Sequence, residues 1–391
     1  MIVVVIKKLP IASFSYFQWF LLGLYLLQQK KKIKLKFRIA PLNYLVLILF
    51  NNKYLAGGLR RLFNVCFKYP NYNLVGYVKE GDKKRSFTID SKDSPFIFND
   101  SLLEKMDVYY KIQCPKEIEE SGFPLNNKIR VPYSDLKFNS SKEETNLKRK
   151  QSKNVFIYRN KIKPAMVGPR RLAWSCRFKD MYKTYCEYLK SQSVERTKKV
   201  MCYFGNNIGP DPSAEKRQYD LDLEWDNMRL YADFVEHPNI KRYKASQIIS
   251  KDIQNDARVI NIKTDSGETI VNKNEIIPLT AFCDHVAHFQ YNFNVSGFRL
   301  SIPNRFIESF MGGTAILTDK LYVKWYLPFD SEVVETVDMG YYKDNDVNWE
   351  QFKQDLSTLP QTAKNEIIEL FKKKWAPEVF ATYIINNTLN M

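Results

Sequence analysis

Arg299, Ser301, Asn304, Arg305 and Glu308 fall within one short stretch, and their types suit the binding of an anion. The stretch runs Tyr291-Asn292-Phe293-Asn294-Val295-Ser296-Gly297-Phe298-Arg299-Leu300-Ser301-Ile302-Pro303-Asn304-Arg305-Phe306-Ile307-Glu308. Its pattern predicts a strand ending at Val295, a tight turn allowed by Gly297, and a helix from Pro303 to Met311. Ser301 is the expected N-cap, Pro303 sits just inside the helix start, and Gly312-Gly313 end it. A helix N-terminus beyond the carboxyl end of a parallel strand offers unpaired N–H groups to an anion. Arg299 and Arg305 add side chains suited to forked phosphate contacts. Asn304 and Glu308 are four apart and share one helix face. A carboxylate one turn deeper than a phosphate can accept hydrogen bonds from ribose hydroxyls. These features compose a nucleotide-diphosphate pocket. The same spacing also fits an exposed Arg305–Glu308 pair with Arg299 in a solvated loop.

Two further segments bear on such a pocket. Gly205-Asn206-Asn207-Ile208-Gly209 follows a predicted strand, so Gly205 and Asn206 could offer backbone N–H groups to a diphosphate. The segment matches neither G-x-G-x-x-G nor a P-loop, and a plain turn fits it equally. Cys283-Asp284-His285-Val286-Ala287-His288 has its two histidines three apart without an H-E-x-x-H pattern. It is read as no metal site, with His288 as a candidate contact to donor phosphate or sugar and a structural role as the alternative.

The elements that must position these residues are those of an α/β protein. The chain has 391 residues, enough for two or three domains of about 150 residues each. Aromatic residues make up 14% and hydrophobic ones 45%, which excludes a disordered chain. The formal charge is +17, which favours an anionic partner. The six cysteines contain no C-x-x-C pair, which argues against a disulfide scaffold or a zinc ribbon and for a reducing, cytoplasmic setting.

Ile2–Ile6, an apolar helix ending near Gln29, and Ile33–Ile39 form an expected β-α-β opening; the competing reading of residues 10–28 is a membrane anchor. Residues 1–136 are expected as a first α/β unit with a parallel sheet, 137–198 as a polar linker and bridging segment, 199–345 as a second α/β unit, and 346–391 as helices returning to the first. Within them, Asn73–Val78, Ser86–Ile89, Asp107–Ile112, Val155–Tyr158, Lys199–Phe204, Phe289–Val295 and Thr314–Thr318 are predicted strands.

The segment from Tyr291 to Thr314, with its aromatic-Asn strand, Gly turn, Arg-bearing loop and R-x-x-E helix, resembles the donor-site region of GT-B glycosyltransferases. It is most similar to exostosin-like and capsule-associated enzymes. Thr314-Ala315-Ile316-Leu317-Thr318-Asp319 and Trp325-Tyr326-Leu327-Pro328-Phe329 extend the likeness. The resemblance implies two Rossmann-like domains facing a cleft, with Arg299, Arg305 and Glu308 binding a nucleotide-sugar donor. A more distant likeness to bacterial surface-polysaccharide transferases covers Ile89-Asp90-Ser91-Lys92-Asp93-Ser94-Pro95 and Asp107-Val108-Tyr109-Tyr110-Lys111.

Glycosyl transfer by inversion needs a base for the acceptor hydroxyl. The three histidines are His237, His285 and His288, so a base from the first half must be a carboxylate. Asp93 is the first candidate and Asp90 the second; the alternative for both is turn formation. No cofactor or divalent metal is expected. Tyr219-Asp220-Leu221-Asp222 contains the D-x-D of metal-dependent transferases but reads better as first-turn acids of a helix. The expected partners are a nucleotide sugar and a glycan or lipid-linked acceptor in surface-polysaccharide synthesis. An anionic membrane surface is a further partner that the charge allows, giving peripheral attachment at the inner face of the membrane. The alternative function is a basic, non-catalytic protein that binds nucleic acid or a membrane surface, although the charges look scattered and no nucleic-acid motif is present.

Overall fold

The computed structural model describes residues 1–10, 13–39, 72–118 apart from 94 and 98, and 154–202 apart from 171, 174–176 and 197. It also describes 240–244, 259–263, 268–273, 279–294, 301–318, 321–329 apart from 322, 333–336 and 362–391. A strongly apolar run at 44–50, the helices that spacing predicts at 54–67, 226–236 and 349–356, and the polar, charged stretch 137–153, read as a loop or linker, lie outside these residues.

The chain opens with β1 (Ile2–Lys8), α1 (Phe14–Gln29) and β2 (Ile33–Phe37), and β1 and β2 pair in parallel. This is the expected β-α-β unit. Helix α1 is apolar almost all round because it is covered on more than one side. Phe20 packs edge-on to Phe87 of the sheet and to Phe380 of the last helix, while Trp19 meets Tyr185 edge-on. No helix among the described residues is long and apolar enough to cross a membrane.

Strands β3 (Asn73–Glu80) and β4 (Lys83–Asp90) follow, then α2 (Asp100–Lys105), β5 (Val108–Lys111), β6 (Cys114–Pro115) and β7 (Ile162–Pro164). The sheet order is β2-β1-β3-β4-β5-β7. The expectation of a parallel first sheet is corrected here, because β3 runs antiparallel to both β1 and β4. The cause is local. Glu80 pairs with Lys83 across the two-residue turn Gly81-Asp82, and Gly81 takes φ +55°. Such a turn can join only antiparallel strands, and a glycine supplies its positive φ without strain. Strands β1, β4, β5 and β7 still point the same way, so their carboxyl ends share one edge. Val155–Tyr158, read from sequence as a strand, instead forms turns leading into a short 3₁₀ segment before β7.

Beyond α3 (Phe178–Leu189), β8 (Lys198–Cys202) begins the second half. Strands β9 (Ile240–Lys244), β10 (Val259–Lys263) and β11 (Glu268–Lys273) make a separate antiparallel sheet. Then come α4 (Leu279–Val286), β12 (Phe289–Asn294), α5 (Arg305–Gly312), β13 (Ala315–Thr318), β14 (Val323–Lys324) and β15 (Val334–Thr336). The sheet β15-β13-β12-β8 is parallel throughout, as the sequence pattern predicts for this half. Helix α5 opens after Asn304 rather than at Ser301, and it ends where Gly313 takes φ +78°.

The chain finishes with α6 (Lys364–Leu370), a wide π-type turn (Phe371–Trp375) and α7 (Pro377–Leu389). Helix α7 lies against α1 and the first sheet. The Tyr110 hydroxyl donates to the Ile384 carbonyl at 2.9 Å, and the Tyr383 hydroxyl donates to the Pro164 carbonyl at 2.9 Å. Trp375 stacks on Phe310 of α5 at 4.8 Å between ring centres. One contiguous apolar core thus takes in residues of both larger sheets.

The approach of α1 to α7 is very close at Gly23. A Cβ there would stand 2.0 Å from the Pro377 carbonyl oxygen and 2.8 Å from the Ala381 Cβ. Alanine is the better helix former by up to about 1 kcal/mol. We expect overpacking to win, with Gly23→Ala lowering stability by about 1–3 kcal/mol in urea unfolding. A variant as stable as the parent, or more so, would show that the two helices are not in backbone contact.

Candidate functional site at the carboxyl edges of the sheets

The carboxyl ends of β4, β5 and β7 meet the start of α5 along one seam. Gln113, two residues past β5, makes the principal clasp. Its Nε2 donates to the Ile302 carbonyl at 2.9 Å, and its Oε1 accepts from the Ile302 N–H at 3.0 Å. Both groups are buried, so both backbone bonds are made away from competing water. Nearby, Asn304 Nδ2 donates to the Gly168 carbonyl. Val323 and Lys324 pair antiparallel with Pro115 and Cys114, a third tie across the seam.

On the first-sheet side, Asp90 ends β4 and is 3% exposed. Its Oδ2 accepts from the Tyr109 hydroxyl at 2.8 Å and stands 3.1 Å from Lys111 Nζ. Its Oδ1 accepts from the Lys92 N–H at 2.9 Å. Lys111 is fully buried and also donates to the Lys92 carbonyl at 2.9 Å. Burial pulls the Lys111 ammonium below its usual range, and the Asp90 charge opposes that shift. Asp90 is therefore closed in by donors and fixes the shape of the loop that follows. Three residues on, Asp93 is exposed. Tyr16, in the first turn of α1, is pushed up to about 12, by burial first and then by the Asp93 charge. The phenol stays neutral at ordinary pH and can donate a hydrogen bond beside this carboxylate.

On the second-sheet side, a polar chain crosses the carboxyl ends of β12 and β13. Asn294 Nδ2 donates to Thr318 Oγ1 at 3.3 Å, and Asn294 Oδ1 accepts from Arg305 Nε at 3.2 Å. Arg305 is partly exposed at the first turn of α5. Ser301 is buried in the loop before the helix. Asn304 and Glu308 do share a face, and that face meets residues 168–170. Glu308 is fully buried. Its Oε1 accepts from the Arg170 backbone N–H at 2.9 Å, and its Oε2 accepts from the guanidinium at 3.3 Å. Glu308 is thus a core residue holding Arg170, and not half of the exposed Arg305–Glu308 pair that the spacing also allowed.

The candidates are not all brought together. Asp93, Ser301, Asn304 and Arg305 lie along the carboxyl edges. His288 precedes β12, at the amino end of the strand whose carboxyl end reaches Arg305, and its Nδ1 lies 3.1 Å from the Glu195 carbonyl. Gly205, Asn206, Gly297 and Arg299 lie outside the described residues, as do Asp220 and Asp222. Among the described residues no three His, Cys, Asp or Glu side chains are grouped as a metal site would need. Sequence reasoning missed Gln113, Lys111 and Arg170. A lysine inside the predicted strand Asp107–Ile112, between apolar and aromatic neighbours, was the available signal for Lys111; nothing local marks the other two.

No protein-family model matches the chain, and no curated protein matches it either.

Two expectations follow from the buried charges. Lys111→Met strands the Asp90 carboxylate and should cost about 3–5 kcal/mol, much of it recovered in the Asp90→Asn/Lys111→Met double variant. Chemical denaturation would test it, and an unchanged midpoint for the single variant would refute the account. Arg170 is 48% exposed at its side chain while Glu308 is 0%. Arg170→Met leaves a buried carboxylate short of partners, whereas Glu308→Gln leaves a guanidinium that water can reach. The arginine variant should therefore melt lower than the glutamine variant; the reverse order would place the buried charge elsewhere.

Proposed function

We propose that the protein is a glycosyltransferase that moves a sugar from a nucleotide-sugar donor to a glycan or lipid-linked acceptor. The observation that carries the reading is the Gln113–Ile302 clasp. It ties the carboxyl edge bearing Asp93 to the loop that leads into Arg305. Ligands of open α/β sheets bind beyond strand carboxyl ends, and here the ends of two sheets adjoin. The sequence likeness to GT-B donor sites, which covers this same loop and helix, supports the assignment.

In this reading Arg305 faces the donor diphosphate, and its guanidinium balances the charge that builds on the departing nucleoside diphosphate. Asp93 takes the proton from the acceptor hydroxyl as its oxygen bonds to the anomeric carbon and the bond to the diphosphate oxygen breaks. Neutral Tyr16 orients the acceptor or the carboxylate by donating a hydrogen bond. Asp90, Lys111 and Glu308 act indirectly, by holding the loops in place.

Calorimetric titration with UDP and GDP tests the proposal. The parent should bind one of them. Arg305→Ala should bind about 10- to 150-fold more weakly, through loss of a charge-assisted contact. Arg305→Lys should recover only part of this, because the ammonium lacks the fork. Asp93→Asn should bind the nucleotide like the parent and fail in transfer. A parent that binds neither nucleotide would overturn the reading.

A further inference from the structure

One face of the first sheet is covered by α1 and α7. The opposite face, across β2, β1, β3 and β4, carries a concentration of positive charge that sequence order hides. Strand registry places Lys34 beside Val3, Val3 opposite Lys79, and Lys79 opposite Lys84. The next row runs Lys36, Val5, Tyr77 and Ser86. Residues directly paired across strands project to the same side, so Lys34, Lys36, Lys79 and Lys84 share this face. Lys7 joins them, lying 5.3 Å from the centre of the Tyr77 ring, with Lys84 at 4.6 Å. All five lysines are exposed. Among the described residues none of the five has an acidic partner. The acid this face carries on these strands is Asp90, at the far end and already paired with buried Lys111; beside the face, Asp107 is engaged by Ser86 and Arg85.

Two features point to a partner. Lys79 and Lys84 stand directly opposite each other, and like charges so placed destabilise a sheet; the contact of Lys84 with the Tyr77 ring offsets this for Lys84 and leaves Lys79 without a compensating contact among the described residues. The second feature is shape. Four strands spaced about 4.8 Å apart give a broad, gently twisted face rather than a groove. The aromatic ring that it carries among the described residues, Tyr77, is flanked by two ammonium groups and so is not open to stack on a base, as single-stranded nucleic-acid platforms require. Lysines are hydrated point charges on flexible stems, suited to a diffuse layer of negative headgroups.

We propose that this lysine face docks the protein on an anionic membrane surface without inserting into it. The inference stands apart from the glycosyltransferase reading, because none of these residues belongs to the seam.

Flotation of the full chain with vesicles tests it. The parent should bind vesicles of equimolar phosphatidylcholine and phosphatidylglycerol, should ignore pure phosphatidylcholine, and should be released as salt shortens the screening length. Each lysine near a charged surface contributes about five-fold in binding, so Lys34→Gln/Lys36→Gln should bind roughly 30-fold more weakly. Lys372→Gln/Lys373→Gln, an equal charge change on the carboxy-terminal segment, should bind like the parent. Failure of the parent to bind anionic vesicles would overturn the proposal, as would equal weakening by both pairs. Binding to a single-stranded oligonucleotide that the Lys34/Lys36 pair weakens, without vesicle binding, would assign the face to nucleic acid instead. Melting curves of both variants should match the parent, since all four side chains are exposed.

Discussion

Trp375 is completely buried, and three parts of the chain meet on it. Its backbone carbonyl accepts from the Trp19 indole N–H at 3.1 Å, its ring stacks on Phe310 at 4.8 Å, and Trp325 meets it edge-on at 6.3 Å. Trp19 belongs to the helix on the first sheet, and Phe310 belongs to the helix on the second. Aromatic rings of this size bury large areas and prefer the offset and edge-on geometries seen here. The wide turn at Phe371–Trp375 places the ring at this junction, and α7 then runs back along α1. With this contact made, the two sheets cannot slide independently, and the fine polar contacts of the seam can form.

The seam itself divides its charges into two kinds. Asp90 and Glu308 are buried and engaged on both oxygens, by Tyr109, Lys92 and Lys111 in one case and by Arg170 in the other. Asp93 and Arg305 stand close by in sequence but reach solvent. Side chains that hold loops and side chains that reach solvent therefore alternate over a few residues. In the proposed reading, a reactive group so placed has its backbone fixed by a buried neighbour, which makes its positioning accurate.

Much of this fold is legible in sequence, and what is not has identifiable causes. The β-α-β opening, the parallel strands β12 and β13, and helix α5 follow from apolar periodicity and from Gly312-Gly313. Strand β7 does not, because three residues ending in Pro164 are too few to show a period. The direction of β3 was signalled by Gly81-Asp82, a turn that the strand pattern alone passes over. Helix Leu279–Val286 was passed over because Cys283-Asp284-His285-Val286-Ala287-His288 was weighed for its chemistry and not for its helical spacing. At the site, the shared face of Asn304 and Glu308 was visible from their spacing. What that face meets was not, since Arg170 is 138 residues away and no local pattern names a distant partner. The grouping of lysines on one sheet face was likewise invisible until registry aligned four strands.

The hydrogen bond from Trp19 to Trp375 joins residues 356 positions apart. During synthesis at about 5–20 residues per second, α1 therefore leaves the ribosome roughly 20–70 s before the segment that covers it. Over that interval Trp19 lacks Phe371 and Trp375, and Phe20 lacks Phe380. The first sheet can form early, but its apolar helix must be sheltered by other means until translation reaches the carboxy-terminal helices. The order of the chain thus sets a period of vulnerability that the finished structure no longer shows.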